Sequence, residues 1–594
     1  MPGSPRHRLG SAALAVLLAG ASAAWGQTNI AATKHNLTSS GPGTVKVAGA
    51  TDLCKFCHTP HASNPIGPLW NRGDPGTYYQ TYASPTLISR VGQPTGSSRL
   101  CLSCHDGTIA LAQTYNPRNA PTGTIYISSG DKGYLGTDLR DDHPISFLYD
   151  SGLAAQRRQL RDPNSLPREL ALDKGRQLQC TTCHDPHSDR FGKFLTMSNV
   201  ESAMCKTCHQ LDNWDMGTHA NSTASLAPAR RDKWDNITAS TVRQAACESC
   251  HRPHSAGGRL RLLRHEAGID NCLPCHDGSV ASKDLTADMT KLSSHPLSRY
   301  TGIHEAAERP WSMPKHVECA DCHNAHTSRA GSAPGAPAIK PSSAGVSGMT
   351  GDRQFLPQAV NEYQICYKCH AGPNTVRNPV VDRVIINTNV ADQFASVNPS
   401  FHPIEVKGKN TAVPSLILPL RSTSIIYCTD CHASDSAQGP RGPHGSTYTP
   451  LLVRQYVTAD FTSEGPTVYA LCYGCHNRSS ILANQSFPFH SLHLGRDVKA
   501  PCSACHTPHG LSAVTSTSAS GAHLINFDRH IALPLSSGNG PNYTSTGIRS
   551  GACNLTCHQV PHTNFSYSPS SASALNVRRA IRSPAQPPSP SKKK

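Results

Sequence analysis

The chain has 594 residues, of which 37% are hydrophobic and only 6% aromatic, with 45 Gly and 46 Pro. So few aromatics argue against a conventional large α/β enzyme with a deep aliphatic core, and the Gly and Pro content stays below that of a low-complexity polymer. The formal charge of +16 invites a nucleic-acid reading, but the outlying residues are 24 Cys and 32 His, and they direct the analysis elsewhere.

In chain order, residues 1–26 read as a signal peptide. Arg6, His7 and Arg8 precede a short apolar stretch from Leu9 to Ala21, and Ala21-Ser22-Ala23 fits a cleavage site. No Cys follows until Cys54, so no lipoprotein anchor is expected. No later run reaches the ~18 apolar residues of a spanning helix, so the mature chain is not expected to be integral in a membrane.

Residues 27–150 hold His35, then Cys54-Lys-Phe-Cys57-His58 with His61 three positions on, then Cys101-Leu-Ser-Cys104-His105, and His143 followed by Pro144. In residues 151–327, Ala154–Lys174 is the best helical candidate, interrupted by Pro163 and Pro167. Five Cys-His motifs follow there: Cys180–Cys183–His184, Cys205–Cys208–His209, Cys247–Cys250–His251, Cys272–Cys275–His276 and Cys319–Cys322–His323. The further histidines of this region are His187, His219, His254, His265, His295, His304, His316 and His326.

Residues 328–351 are rich in Ser, Ala, Gly and Pro and read as a linker or long surface loop. Residues 352–565 carry Cys366–Cys369–His370, Cys428–Cys431–His432, Cys472–Cys475–His476, Cys502–Cys505–His506 and a stretched Cys553–Cys557–His558. His402, His444, His490, His493, His509, His523, His530 and His562 lie between or after them, and Thr423–Cys428 and Gln455–Phe461 are possible short strands. Residues 566–594 are Pro-rich and basic and are expected to be disordered.

Every Cys thus belongs to one of twelve pairs, and each pair ends in His. Eleven are C-x-x-C-H, the attachment sequence of c-type haem. Two thiols add S–H across the two vinyl groups on one porphyrin edge, and the adjacent His becomes the proximal iron ligand. A zinc ribbon requires no His after each pair, and a redox dithiol needs one pair rather than twelve. One inserted residue can bulge from the turn at Cys553–Cys557, so twelve covalent haems are expected.

The far side of each iron takes His or Met. Seven Met, one of them the initiator, cannot serve twelve haems, whereas nineteen His remain once the proximal set and His7 are removed. Six follow a proximal His by three residues, or four in the last case: His61, His187, His254, His326, His509 and His562. A ring so close in sequence cannot round the macrocycle to the opposite face of its own iron, so these are expected to ligate a neighbouring haem. His143, His295 and His402, each before Pro, together with His219, His444 and one of His490 or His493, supply one candidate in each remaining interval. His35 and His316 are further candidates, and His265, His304, His523 and His530 are ambiguous.

Internal repeats support pairing. Cys180 to Cys205 and Cys247 to Cys272 are both 25 apart, and both start C-x-x-C-H-x-P-H. The expected fold is mostly irregular coil with short α-helices at the motifs and little β, organised by repeated haem pairs. On this count, residues 27–150 hold haems 1–2, residues 151–327 haems 3–7 and residues 352–565 haems 8–12. Propionates, two per haem, offset most of the positive charge, so Lys and Arg read as their partners rather than as phosphate contacts, and no nucleic acid is expected.

The C-x-x-C-H-x-P-H pairs, the opening Thr33-Lys-His-Asn-Leu through Pro68-Leu-Trp-Asn-Arg72, and Gly442-Pro-His-Gly-Ser446 resemble the doubled C-x-x-C-H multihaem c-type cytochromes, including exported and outer-surface members in metal-reducing bacteria. The resemblance covers about Lys34 to Tyr567. It implies an exported electron-transfer protein, periplasmic or on the outer surface, working with redox proteins or extracellular acceptors and possible as a homo-oligomer or filament. The rival is a multihaem oxidoreductase acting on nitrite, hydroxylamine or a sulfur oxyanion. That requires an open iron site.

Overall fold

The computed structural model describes residues 29–118, 120–157, 159–226, 239–297, 316–372 and 379–570. The leader, most of the basic tail and His304 lie outside the described residues. Those described form two compact units. The first runs to Asn199 and includes Ala203–His209; the second takes Val200–Ser202 and the chain from Gln210 onward. The division into these units falls near residue 200.

The regular elements are short, and the Cys-His motifs nucleate many of them. Eleven motifs sit on α- or 3-10 helix, mostly a single turn as at Cys54–Phe56, Ala470–Tyr473 and Cys502–Cys505, but at the end of a longer helix in Gly96–His105 and Glu362–His370. The turn is closed by the histidine N–H donating to the first cysteine's carbonyl, as in His58 to Cys54 at 2.8 Å and His276 to Cys272 at 3.1 Å. Two intervening residues suit one helical turn, which brings both thiols to one side. The candidate helix at 154–174 breaks as its prolines require, into Ser151–Arg157, Pro163–Ser165 and Arg168–Leu170.

The interior is a series of small apolar clusters, most of them with motif cysteines at the edge. Val47, Phe56 and Leu111 pack with Cys57 and Cys104. Phe394, Phe401 and Ile404 pack with Cys428. Neither possible strand, at 423–428 or 455–461, forms. Cys428–Asp430 instead begins the helical turn of its motif. The Ser328–Gly351 stretch is not a free linker: Val346 and Met349 are buried, and Gly348–Met349 pairs antiparallel with Phe355–Leu356.

The largest sheet is at the C-terminal end of the described chain. Asn542–Gly547, Ser550–Cys557 and Val560–Tyr567 run antiparallel, and Ala532–Leu533 pairs with the end of the middle strand. Tyr543, Leu555 and Tyr567 bury one face with Phe527 and Ala532. The stretched twelfth motif lies in its middle strand, the one motif that departs from the expected helical turn. With three residues rather than two between its cysteines, it does not close the turn that the other eleven use.

Candidate haem-binding sites

The motif turns expose backbone carbonyls that a longer helix would satisfy internally. Basic side chains take up several of them. Arg72, fully buried, donates to the carbonyls of Ser103, Ile109, Ala110 and Leu111 at 3.0, 3.3, 3.1 and 3.0 Å. Arg383 donates to Ser503, Asn526 and His506 at 2.6, 2.7 and 2.8 Å. The buried Lys368 reaches Asp321 O at 2.6 Å, and Arg161 and Arg264 bond Lys206 O and Glu248 O. Ser103, Lys206, Glu248, Asp321 and Ser503 all lie between the two cysteines of a motif. The cations therefore fix the turns that carry the thiols.

The histidines are brought together in opposed pairs. Two imidazoles on opposite sides of one metal stand two metal–nitrogen bonds of about 2 Å apart, which places their ring centres roughly 6 Å from each other. In the first unit the ring centres of His58 and His187 are 6.1 Å apart, those of His35 and His105 6.2 Å, and those of His143 and His209 6.3 Å. In the second unit His251–His326 and His323–His444 stand at 6.1 Å, His219–His276 at 6.2 Å and His432–His509 at 6.0 Å. His490–His506 and His493–His562 stand at 6.4 and 6.5 Å. Each pair joins histidines from different motif intervals.

Most of these rings spend Nδ1 on a backbone carbonyl, which leaves Nε2 as the metal-binding nitrogen. His35, His105 and His251 contact Pro186 O, Gly133 O and Arg261 O at 2.8, 2.6 and 2.8 Å. Burial, reinforced by neighbouring histidines, lowers His509 and His490 to about 3 and His326, His444 and His476 to about 4. These rings are thus neutral, the form that ligates a metal. His444 also buries an Nδ1 without a hydrogen-bond partner. The donor set and its spacing fit bis-imidazole haem.

Short antiparallel ladders align pairs of these histidines side by side. Ser293–Ser294 pairs with Gly445–Ser446, flanking His295 and His444; Ser400–Phe401 pairs with Gly510–Leu511, flanking His402 and His509. In each, the histidine before Pro directs Nδ1 to the carbonyl preceding the other histidine, His295 to Pro443 at 3.0 Å and His402 to Pro508. His219 makes the same contact with Ala325 at 3.0 Å, as His35 does with Pro186. In both ladders a His-Pro segment lies against a Pro-His-Gly segment, so the recurrence of the two contexts is the sequence signal of this pairing.

The attachment thiols also meet in sequence order. The Cys101 thiol hydrogen-bonds that of Cys180, Cys272 that of Cys319, Cys366 that of Cys428, and Cys472 that of Cys502. Burial pushes Cys57, Cys183, Cys322 and Cys431 up to about 12. No disulfide joins any of the 24 cysteines. Among the described residues no cluster of three or more His, Cys, Asp or Glu has metal-site geometry.

Some candidates stand apart. His61 is exposed, with no ring partner among the described residues. His254 is exposed and His316 half-buried, and neither is in the pairs above. His523 serves through its backbone, its carbonyl accepting from His506 Nδ1 at 3.1 Å, and His530 approaches Asp382 at 3.3 Å. Where one of His490 and His493 was expected, the helix His490–Leu494 presents both, each to a different partner. His558 directs Nε2 to the Asp460 carboxylate at 2.9 Å.

Asp435 lies three residues after His432, where doubled motifs carry a histidine. Burial raises its pKa, but hydrogen bonds from Lys291 and Thr447 outweigh that and hold it at about 2. A carboxylate depressed in the folded state stabilises above its unfolded value near ~3.9 and loses that contribution as pH falls toward the folded value. Asp435→Asn is therefore expected to remove part of the acid destabilisation between about pH 4 and 2. Denaturation midpoints of both proteins across that range check it; parallel curves would assign the effect to other carboxylates.

Residues 174–213, 240–281 and 419–480 match a family model for the doubled CXXCH motif. The matched stretches hold the motifs at Cys180 and Cys205, Cys247 and Cys272, and Cys428 and Cys472. No curated protein matches the chain. The doubled motifs and the coil-rich, short-helix fold are consistent with the multihaem c-type cytochromes, a family that binds several haems through thioethers. Among the described residues no helix is long and apolar enough to cross a membrane.

Proposed function

We propose that this chain is an exported dodecahaem c-type cytochrome that moves electrons over long range between periplasmic donors and outer or extracellular acceptors. The observation that carries the reading is the set of opposed imidazoles at 6.0–6.5 Å, drawn from different motif intervals. Haem, when bound, supplies the one-electron chemistry. The chain supplies spacing, axial ligands and a fixed environment for each site.

On this reading the histidine three residues after a proximal ligand serves the haem two motifs earlier. His187 opposes His58, His326 opposes His251 and His509 opposes His432. His35, His143, His219, His444 and His490 complete the sites of His105, His209, His276, His323 and His506. His295 and His402, aligned beside His444 and His509, are the candidates for the remaining sites of this unit. Touching thiols of consecutive motifs, Cys101 with Cys180, Cys272 with Cys319, Cys366 with Cys428 and Cys472 with Cys502, would hold neighbouring haems close in chain order, which suits a conduit.

Two tests follow. The reduced native protein is expected to bind no carbon monoxide, because both axial positions are taken. Binding at one haem, with turnover of nitrite or hydroxylamine at about 1–10³ per second, would favour the oxidoreductase instead. Ring planes differ by 13–20° in His323–His444, His58–His187 and His251–His326 and by 61–75° in His35–His105, His219–His276, His143–His209 and His432–His509, with His493–His562 and His490–His506 between them at 34° and 45°. Electron paramagnetic resonance of the ferric protein is therefore expected to contain two families of low-spin signal, rhombic for parallel and strongly anisotropic for crossed imidazoles. A single family would contradict the ring pairing.

A further inference from the structure

The twelfth motif departs from the others in fold, and the departure changes which histidine is available. Cys557 pairs with Val560 across a two-residue hairpin turn made by His558 and Gln559, both at positive φ, 47° and 66°. That is the conformation of a tight hairpin turn matching the twist of its strands. The His558 ring stacks on Phe461 at 4.5 Å, and its Nε2 lies 3.0 and 2.9 Å from the two Asp460 oxygens. The nitrogen that would bind iron is already engaged.

His562 has the opposite character. Cys553, Leu555 and Cys557 alternate onto one face of the strand, and Leu555 pairs directly with His562. Cross-strand partners share a face, so the His562 ring rises between the two cysteine positions. Its Nδ1 is held by Val560 O at 3.1 Å, and its ring centre lies 6.5 Å from that of His493, whose Nδ1 is held by Phe489 O at 2.8 Å. This is the arrangement of the other opposed pairs.

Strand geometry also separates the thiols. Four residues of strand span roughly 13 Å, against about 5 Å for one helical turn. A porphyrin edge that one turn bridges with two thiols is reached by one thiol here. Resting on the cytochrome reading above, we infer that the twelfth haem is ligated by His562 and His493 and attached through a single thioether, with His558 held by Asp460 as a turn residue. One S–H adds across one vinyl group to form a C–S and a C–H bond; the second vinyl and second thiol stay intact, and no oxidant is needed.

The holoprotein tests this by intact mass, thiol alkylation and spin state. Twelve haem additions with one alkylatable thiol, mapped to Cys553 or Cys557, are expected. No alkylatable thiol would mean that the hairpin opens to a two-thioether site, and eleven haems with both thiols free would mean no haem there. Either overturns the inference while leaving the cytochrome reading intact; few or no haem additions would overturn that reading itself. His558→Gln is expected to keep every haem low-spin, whereas His562→Ala converts one of twelve to high-spin. Should His562→Ala lose that haem, His562→Met is the second variant: it is expected to convert one site to His/Met ligation and raise its potential. High-spin conversion by His558→Gln, or an unchanged spectrum in the His562 variants, would overturn it.

Discussion

Replacing Arg72 by Met is expected to destabilise the first unit by about 3 kcal/mol or more, the range of a broken buried hydrogen-bond network. Its guanidinium is the donor to four carbonyls, including Ser103 inside the second motif. Each carbonyl left buried without a donor costs about 1–3 kcal/mol, part of which is returned because a buried charge is removed. Arg72→Lys keeps the charge but lacks the planar fork, so an intermediate loss is expected. Denaturant titration of the three holoproteins measures this. A loss below about 1 kcal/mol for Met, the size of an ordinary substitution, would show that the clamp does not hold the unit together.

Gly445→Ala is the second large effect. A Cβ there would lie 1.7 Å from the Asp288 carbonyl oxygen and 2.5 Å from its carbon. Asp288 cannot give way cheaply: its buried carboxylate is bonded to Lys291 at 2.5 Å and accepts from Ser434 at 2.7 Å. The Ser293–Ser294 ladder would have to part from Gly445–Ser446, displacing His295 and His444 together. Overpacking of this kind costs about 1–3 kcal/mol or more, and on the proposed ligation two haems lose low-spin character at once. Gly92→Ala is the control, since a Cβ there meets nothing within 4 Å; less than about 0.5 kcal/mol is expected. An unaltered spectrum in Gly445→Ala would remove the ladder from its positioning role.

Much of the site chemistry was legible without coordinates. Twelve Cys pairs ending in His are local patterns, and a helical turn is the local structure that C-x-x-C-H favours, so motif and fold class follow from short-range chemistry. The excess of His over Met likewise led to the expectation of imidazole on both sides of the iron. The broken helix at 154–174 was also readable, because Pro163 and Pro167 act on their own turns.

Which histidine faces which was not readable, because it depends on contacts between distant segments. His187 meets His58 across 129 positions of chain only because the third motif packs thiol-to-thiol on the second, Cys180 on Cys101. The ladders beside His402 and His509 are two residues long, too short for any alternation of polar and apolar residues to mark them. Ser328–Gly351 has the composition of a linker, yet it supplies Ser342 O to His323 Nδ1 at 2.9 Å. The fate of the twelfth motif was hidden for the same reason. Sequence alone placed Cys553, Cys557 and His558 in a stretched form of the repeated motif. Tertiary structure decided that a strand forms there, because Tyr543, Leu555 and Tyr567 gain burial on one sheet face that a lone turn could not provide.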